Sequence, residues 1–430
     1  MKVVIMAGGK GTRIASVASD IPKPMIRLCG KPILEHQIEC LKRNGLTDIM
    51  LVIGYLGRFI RDYFGDGGKF GVCIDYFEET VPLGTAGALF KISSLTDAGE
   101  DFLLLCGDTV FDMDLSGLIA FHKVHDADAT LVSHPNGHPY DSSLLVTEIL
   151  QPANEGGLPQ DTHRVIRWLN KEDERLWCKN RVNAGIEVIN PRLLAAAMPH
   201  LTSEKIDLDR DILKPAVSGG RIFAYDTPEY IKDMGTPDRY HAVESDIRNG
   251  LVERRNLCHK QKAVFLDRDG TINKAAGFLT KLDDMELLDG AAEAIRKIND
   301  SGSLAILVTN QPAIARGELD FFQLQEIHNK LETLLGKEGA YLDAIYFCPH
   351  HTDKGFAGER AAYKCDCDCR KPKAGMLLQA AKDFNIDLTQ SYMIGDSQRD
   401  MDAGKSAGCK ASFLVGAERS LLQIVRTLLP

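Results

Sequence analysis

No apolar run in this sequence approaches the ~20 residues that a membrane-spanning helix requires, so no membrane partner is expected. Positive charge is also in short supply. Lys and Arg number 51 against 60 Asp and Glu, a formal net charge of -9, and nonspecific nucleic-acid binding needs the opposite balance. There is no tandem repeat and no low-complexity tract. Tryptophan is nearly absent, and the two present, Trp168 and Trp177, are expected to be packing anchors. No secretory leader opens the chain, which points to a reducing cytoplasm where disulfides are disfavoured.

What is there suffices for more than one core. The 430 residues are 44% hydrophobic and 26% charged, enough for two or three domains of ordinary size. A polar, basic stretch from Arg248 to Lys262 reads as a connector. The expected division is residues 1–250, a linker at 251–260, and a second domain at 261–430. Both are expected to be α/β.

In the second half the apolar run Ala263-Val264-Phe265-Leu266 leads straight into Asp267-Arg268-Asp269-Gly270-Thr271. Two carboxylates two residues apart at a strand end repel each other unless a cation or proton intervenes. A nucleophilic carboxylate, an acid/base carboxylate and Mg2+ together form a route to phosphoryl transfer. Further apolar runs end in Thr309-Asn310-Gln311 and in Gly395-Asp396, with Asp400 one turn on, and Arg370-Lys371-Pro372 supplies fixed positive charge. In this order the segments resemble the haloacid dehalogenase-type phosphatases. The resemblance implies a Rossmannoid domain with Asp267 as nucleophile, Asp269 as acid/base, and Thr309 and Lys371 on the phosphoryl group. It also implies Asp267, Asp269 and Asp396 around Mg2+, with Asn310, Arg316 and Arg370 against the sugar phosphate.

Four of the eleven cysteines cluster at Cys348, Cys365, Cys367 and Cys369, beside His350 and His351. Thiolates and imidazoles in closely spaced pairs suit tetrahedral Zn2+, and four protein ligands would leave it structural. The pattern is similar to that of heptose 1,7-bisphosphate phosphatases and the related histidinol phosphatases. Carried over, the ligands are Cys348, His350, Cys367 and Cys369, with Cys365 and His351 as extras.

The first half opens on the strand-like Val3-Val4-Ile5-Met6-Ala7, followed by Gly8-Gly9-Lys10-Gly11-Thr12-Arg13. Glycines let backbone N–H groups approach phosphate oxygens. The spacing is neither that of the P-loop nor that of the dinucleotide fingerprint. Pro22-Lys23-Pro24-Met25 follows, then Leu34, Ile38 and Leu41 at helical spacing, with Gly45 at the helix end. Together with Leu83-Gly84-Thr85-Ala86-Gly87, Gly107-Asp108, Asn183-Ala184-Gly185-Ile186 and Asp233-Met234-Gly235-Thr236-Pro237, this resembles the nucleotidyltransferases that make nucleotide sugars. That resemblance implies a Rossmann-like domain with a mixed sheet. Gly8, Gly9, Gly11, Thr12, Arg13, Gly84 and Thr85 would meet the nucleotide, with Arg13 also catalytic. Asp108 and Asp233 would hold Mg2+, and Lys23, Lys171 and Asn183 the sugar phosphate. Asn170 stands where a glutamate usually precedes Lys171, and Glu187 stands where an aromatic is common. His122 and His125 lack a third ligand nearby and are expected to be solvated helix residues.

The two resemblances fit one pathway logic. A phosphatase that leaves a sugar 1-phosphate would feed a nucleotidyltransferase that consumes it. The segment Ile314-Ala315-Arg316-Gly317 is nearer the heptose than the histidinol phosphatases. Pro312-Ala313 departs from the usual Ser-Gly, and Ser397 replaces a common lysine. The reading is therefore a bifunctional enzyme: 7-phosphatase on heptose 1,7-bisphosphate, then transfer, from GTP on the family pairing, to give GDP-D-glycero-D-manno-heptose. A homo-oligomer is left open. Two alternatives stand beside it: a mannose- or glucose-1-phosphate nucleotidyltransferase fused to another phosphatase such as histidinol phosphatase, or a chain with one half decayed into a regulatory or scaffold module.

Overall fold

The computed structural model describes residues 1–9, 21–92, 95, 99–154, 156–275 and 277–429. The chain divides into two compact units, and the division is not contiguous. The first comprises Met1–His134, His163–Trp168 and Asn183–Asn256, and the second Pro135–Thr162, Leu169–Val182 and Leu257–Pro430. Within the expected linker, Leu251–Arg254 forms a helical turn rather than open coil. No helix among the described residues is long and apolar enough to cross a membrane.

The first unit is built on β1 (Lys2–Met6), whose Val3, Val4 and Ile5 are fully buried. An uninterrupted apolar strand of this kind suits the middle of a parallel sheet covered on both faces. The ribbon β2 (Arg27–Leu28) and β3 (Lys31–Pro32) precedes the helix Ile33–Arg43, which buries Leu34, Ile38 and Leu41. Gly45, at φ +73°, takes the left-handed conformation just past the helix end. β4 (Asp48–Ile53), β5 (Cys73–Glu78) and β6 (Phe102–Cys106) complete a parallel group in the order β5-β4-β1-β6.

β7 (Thr109–Asp112), β8 (Ala129–His134), most of β10 (Gln160–Leu169), β11 (Val182–Ile189), β12 (Ile222–Asp226) and β13 (Tyr230–Asp233) follow, whereas β9 (Leu144–Leu150) belongs to the second unit. β11 runs antiparallel to β6, so the sheet is mixed. β13 pairs only with β7, placing Asp233 opposite Thr109. His122, expected at the surface, is 2% exposed, with its Nδ1 2.9 Å from the Thr130 hydroxyl. A polar partner inside the fold is what allows that imidazole to be buried.

The second unit carries five parallel strands: β14 (Ala263–Leu266), β15 (Leu304–Asn310), β16 (Ala344–Cys348), β17 (Tyr392–Gly395) and β18 (Ala411–Leu414), ordered β16-β15-β14-β17-β18. Alternation divides the core. Val264 and Leu266 face a cluster that includes Ile295, Leu331 and Ile424. Ala263 and Phe265 face another with Leu377, Ala380 and Ala403. Strand order reverses direction between β14 and β17, and the crevice at their carboxyl ends is where open α/β sheets place ligands.

The second unit also holds chain from the first half. The Tyr140 hydroxyl donates to the Thr333 carbonyl at 2.9 Å, Cys178 N–H donates to Thr333 Oγ1 at 3.1 Å, and the Tyr363 hydroxyl donates to the Gly157 carbonyl at 2.8 Å. The Trp177 ring lies 5.2 Å from the Lys330 ammonium, within cation–π range. Trp177 is thus the anchor of an arm that clasps the helix Phe321–Lys337.

Candidate functional site

The chemistry of the second unit gathers at the β14/β17 reversal. Asp267 follows β14 directly, and its N–H donates to the Ile394 carbonyl at 2.9 Å, extending the ladder by one step. Lys371, 2% exposed, reaches Asp267 Oδ1 at 2.7 Å and Asp400 Oδ1 at 2.6 Å. Burial pushes the Asp267 carboxyl above the usual range, with the Lys371 cation working against that rise. Asn310, at the end of β15, donates to the Lys371 carbonyl and accepts from the Lys371 N–H, both at 3.0 Å. Its amide therefore places Lys371. Gly270 is required here: its φ is +78°, and a Cβ would stand 2.2 Å from Asp396 Oδ2.

The carboxylates that approach one another are Asp267, Asp396 and Asp400, with one oxygen from each within 4.8 Å of the others. Three oxygen donors in that span suit a hard divalent cation. Asp269, expected among the Mg2+ ligands, stands outside this group. Its oxygens accept from Arg268 Nε (3.0 Å) and Nη2 (2.9 Å), Asn273 Nδ2 (3.0 Å) and Gln311 Nε2 (3.2 Å). Burial would raise its pKa, but the Arg268 cation and these hydrogen bonds hold it below the ordinary carboxylate range. Strand-end alternation explains the split, since residues two apart share a face only while the backbone stays extended, and Gly270 ends that. Asp400 takes the place instead. It caps its own helix by accepting from Ser397 N–H at 3.0 Å while also meeting Lys371.

Thr309 is 1% exposed and accepts from Gln311 Nε2 at 2.9 Å. Arg370 Nη1 donates to the His350 carbonyl at 2.9 Å, linking the phosphate-facing segment to the cysteine loop. The Arg316 guanidinium lies between two rings, 4.4 Å from Phe278 and 4.1 Å from Phe356. Both rings were missed by the sequence reading, because cation–π stacking leaves no spacing signal.

Cys348, His350, Cys367 and Cys369 converge. Their Sγ atoms lie 3.1 to 3.5 Å apart, and His350 Nδ1 lies 3.6 and 3.4 Å from Cys348 and Cys369. A tetrahedron with ~2.3 Å Zn–S bonds has edges of about 3.8 Å, so the donor set fits zinc with slight expansion. Cys365 is exposed, and His351 Nδ1 accepts from the Asp353 N–H. Neither joins the group.

In the first unit β6 ends at Cys106, and Gly107 and Asp108 make the turn into β7. Gln37, fully buried, donates to the Cys106 carbonyl at 2.8 Å and the Thr109 carbonyl at 2.6 Å, clamping both sides of Asp108. This clamp has no local sequence signature. Lys23 Nζ forms an ion pair with Asp108. The β7–β13 register and a Met234 N–H bond to the Asp108 carbonyl at 3.1 Å bring Asp233 alongside Asp108. Arg239 Nη1 meets both Asp233 oxygens at 2.8 Å, a partner that sequence reasoning did not single out. Asp108 is thus paired with Lys23 and Asp233 with Arg239, and carboxylate oxygens are the donor type that Mg2+ takes.

Gly8 and Gly9 follow β1, and Gly8 is close enough to Glu79 that a Cβ would lie 2.8 Å from its carboxylate. Gly11, Thr12 and Arg13 lie outside the described residues. Gly84 has φ +86°, and a Cβ would meet the Ile206 carbonyl at 2.2 Å, so the expected nucleotide loop packs against residues 206–208. Thr85 Oγ1 accepts from Leu208 N–H at 2.7 Å. Asn183 lies at the start of β11, with its amide oxygen 3.5 Å from Gly185 N. Lys171 belongs to the second unit and is an exposed lysine 3.6 Å from Glu172.

Residues 2–250 match the family of nucleotidyl transferases, and residues 368–419 the HAD-hydrolase-like family. The chain is 43% identical over 162 residues to a D-glycero-beta-D-manno-heptose-1,7-bisphosphate 7-phosphatase of Haemophilus ducreyi, covering 37% of this chain and 86% of that protein. The counterpart from Pasteurella multocida is 46% identical over 155 residues, covering 36% of this chain and 82% of the relative. A probable mannose-1-phosphate guanylyltransferase of Oryza sativa subsp. japonica is 30% identical over 245 residues, covering 56% of this chain and 63% of the relative. The chain belongs to the nucleotidyl transferase family, and joined to that domain it carries a C-terminal HAD-like domain of the heptose-bisphosphate 7-phosphatase family, so two enzyme families meet in one polypeptide.

Proposed function

We propose that the chain removes the C7 phosphate of D-glycero-D-manno-heptose 1,7-bisphosphate and then transfers a nucleotidyl group, GMP from GTP, to the resulting heptose 1-phosphate. The observation that carries this reading is the joining of the two families in one chain, because the product class of one is the acceptor class of the other. The guanylyltransferase among the relatives favours GTP.

In the phosphatase reaction Asp267 Oδ attacks phosphorus, the phosphorus–O7 bond breaks, and Asp269 protonates the leaving sugar oxygen. Water then attacks the aspartyl phosphate while Asp269 takes its proton, and phosphate leaves. The Arg268 clamp keeps Asp269 ionised, the form that activates water, so the protonation step requires that clamp to loosen. Lys371 and Thr309 face the phosphoryl oxygens, with Asn310 fixing Lys371. Mg2+ held by Asp267, Asp396 and Asp400 would neutralise charge on the phosphoryl group. The zinc would be structural, tying Cys348 at the end of β16 to the loop before Arg370.

In the transfer reaction a sugar 1-phosphate oxygen displaces pyrophosphate from the α-phosphorus, and no general base is needed because the acceptor is already anionic. Asp108 and Asp233 would hold Mg2+, which lowers the repulsion between acceptor and triphosphate. Lys23 keeps Asp108 in place, and the Gly84–Thr85 loop receives the nucleotide. Incubating the protein with heptose 1,7-bisphosphate, each of the four NTPs and Mg2+, followed by mass spectrometry, tests the reading. GDP-heptose with released phosphate is expected. Transfer to mannose 1-phosphate in preference to heptose 1-phosphate would favour the alternative fusion.

A further inference from the structure

Glu187 is a residue of the first unit that neither the fold nor the transfer chemistry explains. It lies on β11 opposite Leu104 of β6, between Ile186 and Val188, which point into the core. At 2% exposure it is one of the most deeply placed carboxyls in the chain. Among the described residues it makes no hydrogen bond and no ion pair. Burying a carboxyl without a partner is costly, so the arrangement is unfavourable unless something outside the protein completes it.

Its surroundings define a cleft. Cys106, exposed at the end of β6, stands across from Gly185 two residues before Glu187, where a Cβ would lie 3.1 Å from its sulfur. Asp209, on the helical turn Leu208–Leu213, also has no side-chain partner among the described residues and is within electrostatic reach of Glu187. Burial and then Asp207 push its pKa up to about 6. That turn is tied to the nucleotide loop through Leu208 and Thr85. Glu187 thus sits on the strand paired with β6, which leads to Asp108, and Asp209 follows the residue bonded to the Gly84–Thr85 loop, on the two flanks of the proposed acceptor site.

We infer that Glu187 and Asp209 read hydroxyl groups of the acceptor sugar and determine its specificity. Adjacent carboxyls that accept hydrogen bonds suit a polyhydroxylated ring with vicinal hydroxyls, and an aromatic at position 187 would offer a flat apolar face instead. This rests on the transfer reading above. It concerns specificity, since neither side chain is assigned to the reacting phosphates.

The test compares heptose 1-phosphate with its monodeoxy analogues in the full-length protein, measuring kcat/KM for nucleotidyl transfer. In the wild type, removing a hydroxyl that is read should cost about tenfold or more. In Glu187→Leu the parent substrate should fall by a similar factor, so that the parent-to-analogue ratio collapses towards one while KM for GTP stays within about twofold. Glu187→Gln and Asp209→Asn, which keep the volume, give the same readout should the leucine variant not fold. Ratios unchanged in all folded variants would overturn the inference and leave the transfer reading standing. No transfer by the wild type to any sugar 1-phosphate would overturn both.

Discussion

Asn310 and Lys371 hold each other by two hydrogen bonds, amide to carbonyl and N–H to amide oxygen, both 3.0 Å long. Sixty-one positions apart in sequence, they form the joint that aims the ammonium at Asp267 and Asp400. Asn310→Ala removes both bonds. Each contributes about 1 kcal/mol, so phosphate release should fall by roughly tenfold or more, with nucleotidyl transfer unchanged. Phosphate-release kinetics beside a transferase assay checks it, and equal loss in both reactions would refute a local positioning role.

Asp267→Asn should abolish phosphoenzyme formation and phosphatase turnover. Asp269→Asn should slow turnover by about a hundredfold or more while substrate still binds. Neither change should affect transfer from heptose 1-phosphate, whereas Asp108→Asn and Asp233→Asn should abolish transfer and spare phosphate release. Purified variants in the two assays decide it, and phosphatase activity persisting in Asp267→Asn would remove the covalent mechanism.

Zinc content should drop in Cys367→Ser and Cys369→Ser, with a lower melting temperature, because a loop without its ion loses its cross-link. Cys365→Ser should keep both metal and stability, since its thiol stands outside the four converging donors. Metal analysis with a thermal melt separates the outcomes.

His328, 3% exposed and 3.3 Å from Arg268 Nη1, makes the second unit acid-sensitive. Burial, then the Arg268 cation, lower its pKa from 6.5 to about 3. The unfolded chain therefore takes up the proton first as pH falls below 6.5, and stability is lost progressively down to about pH 3. Between pH 7 and pH 5 the loss should be about 2 kcal/mol. Denaturant melts of His328→Gln should show a shallower pH dependence, and an unchanged slope would exclude this source.

Residues 257–430 expressed alone lack the arm whose Tyr140, Gly157 and Cys178 bond to Thr333 and Tyr363. We expect that fragment to keep phosphatase activity with a lower melting temperature than the full-length chain, and residues 1–250 to keep transfer. Trp177→Ala in the intact chain should reproduce part of the destabilisation. A fragment as stable as the parent would show that the arm contributes nothing.

The sequence by itself determined the strands, their apolar interiors and the candidate site residues at their ends. Asp267, Asp396, Asp108 and the four zinc-type donors were legible because each follows its strand directly or sits in a short repeat, so local periodicity and chain direction place it. Tertiary structure decided what those residues touch. Gln37 reaching the Asp108 turn, Arg239 on Asp233, Asp400 in place of Asp269, and the arm around Trp177 all join distant segments. Asp269 shows the reason most plainly. Two residues from Asp267, it would face the same way if the backbone stayed extended, but the turn at Gly270 and the fully buried Arg268 draw it aside. Which partner a side chain meets depends on the packing of elements that no local spacing records.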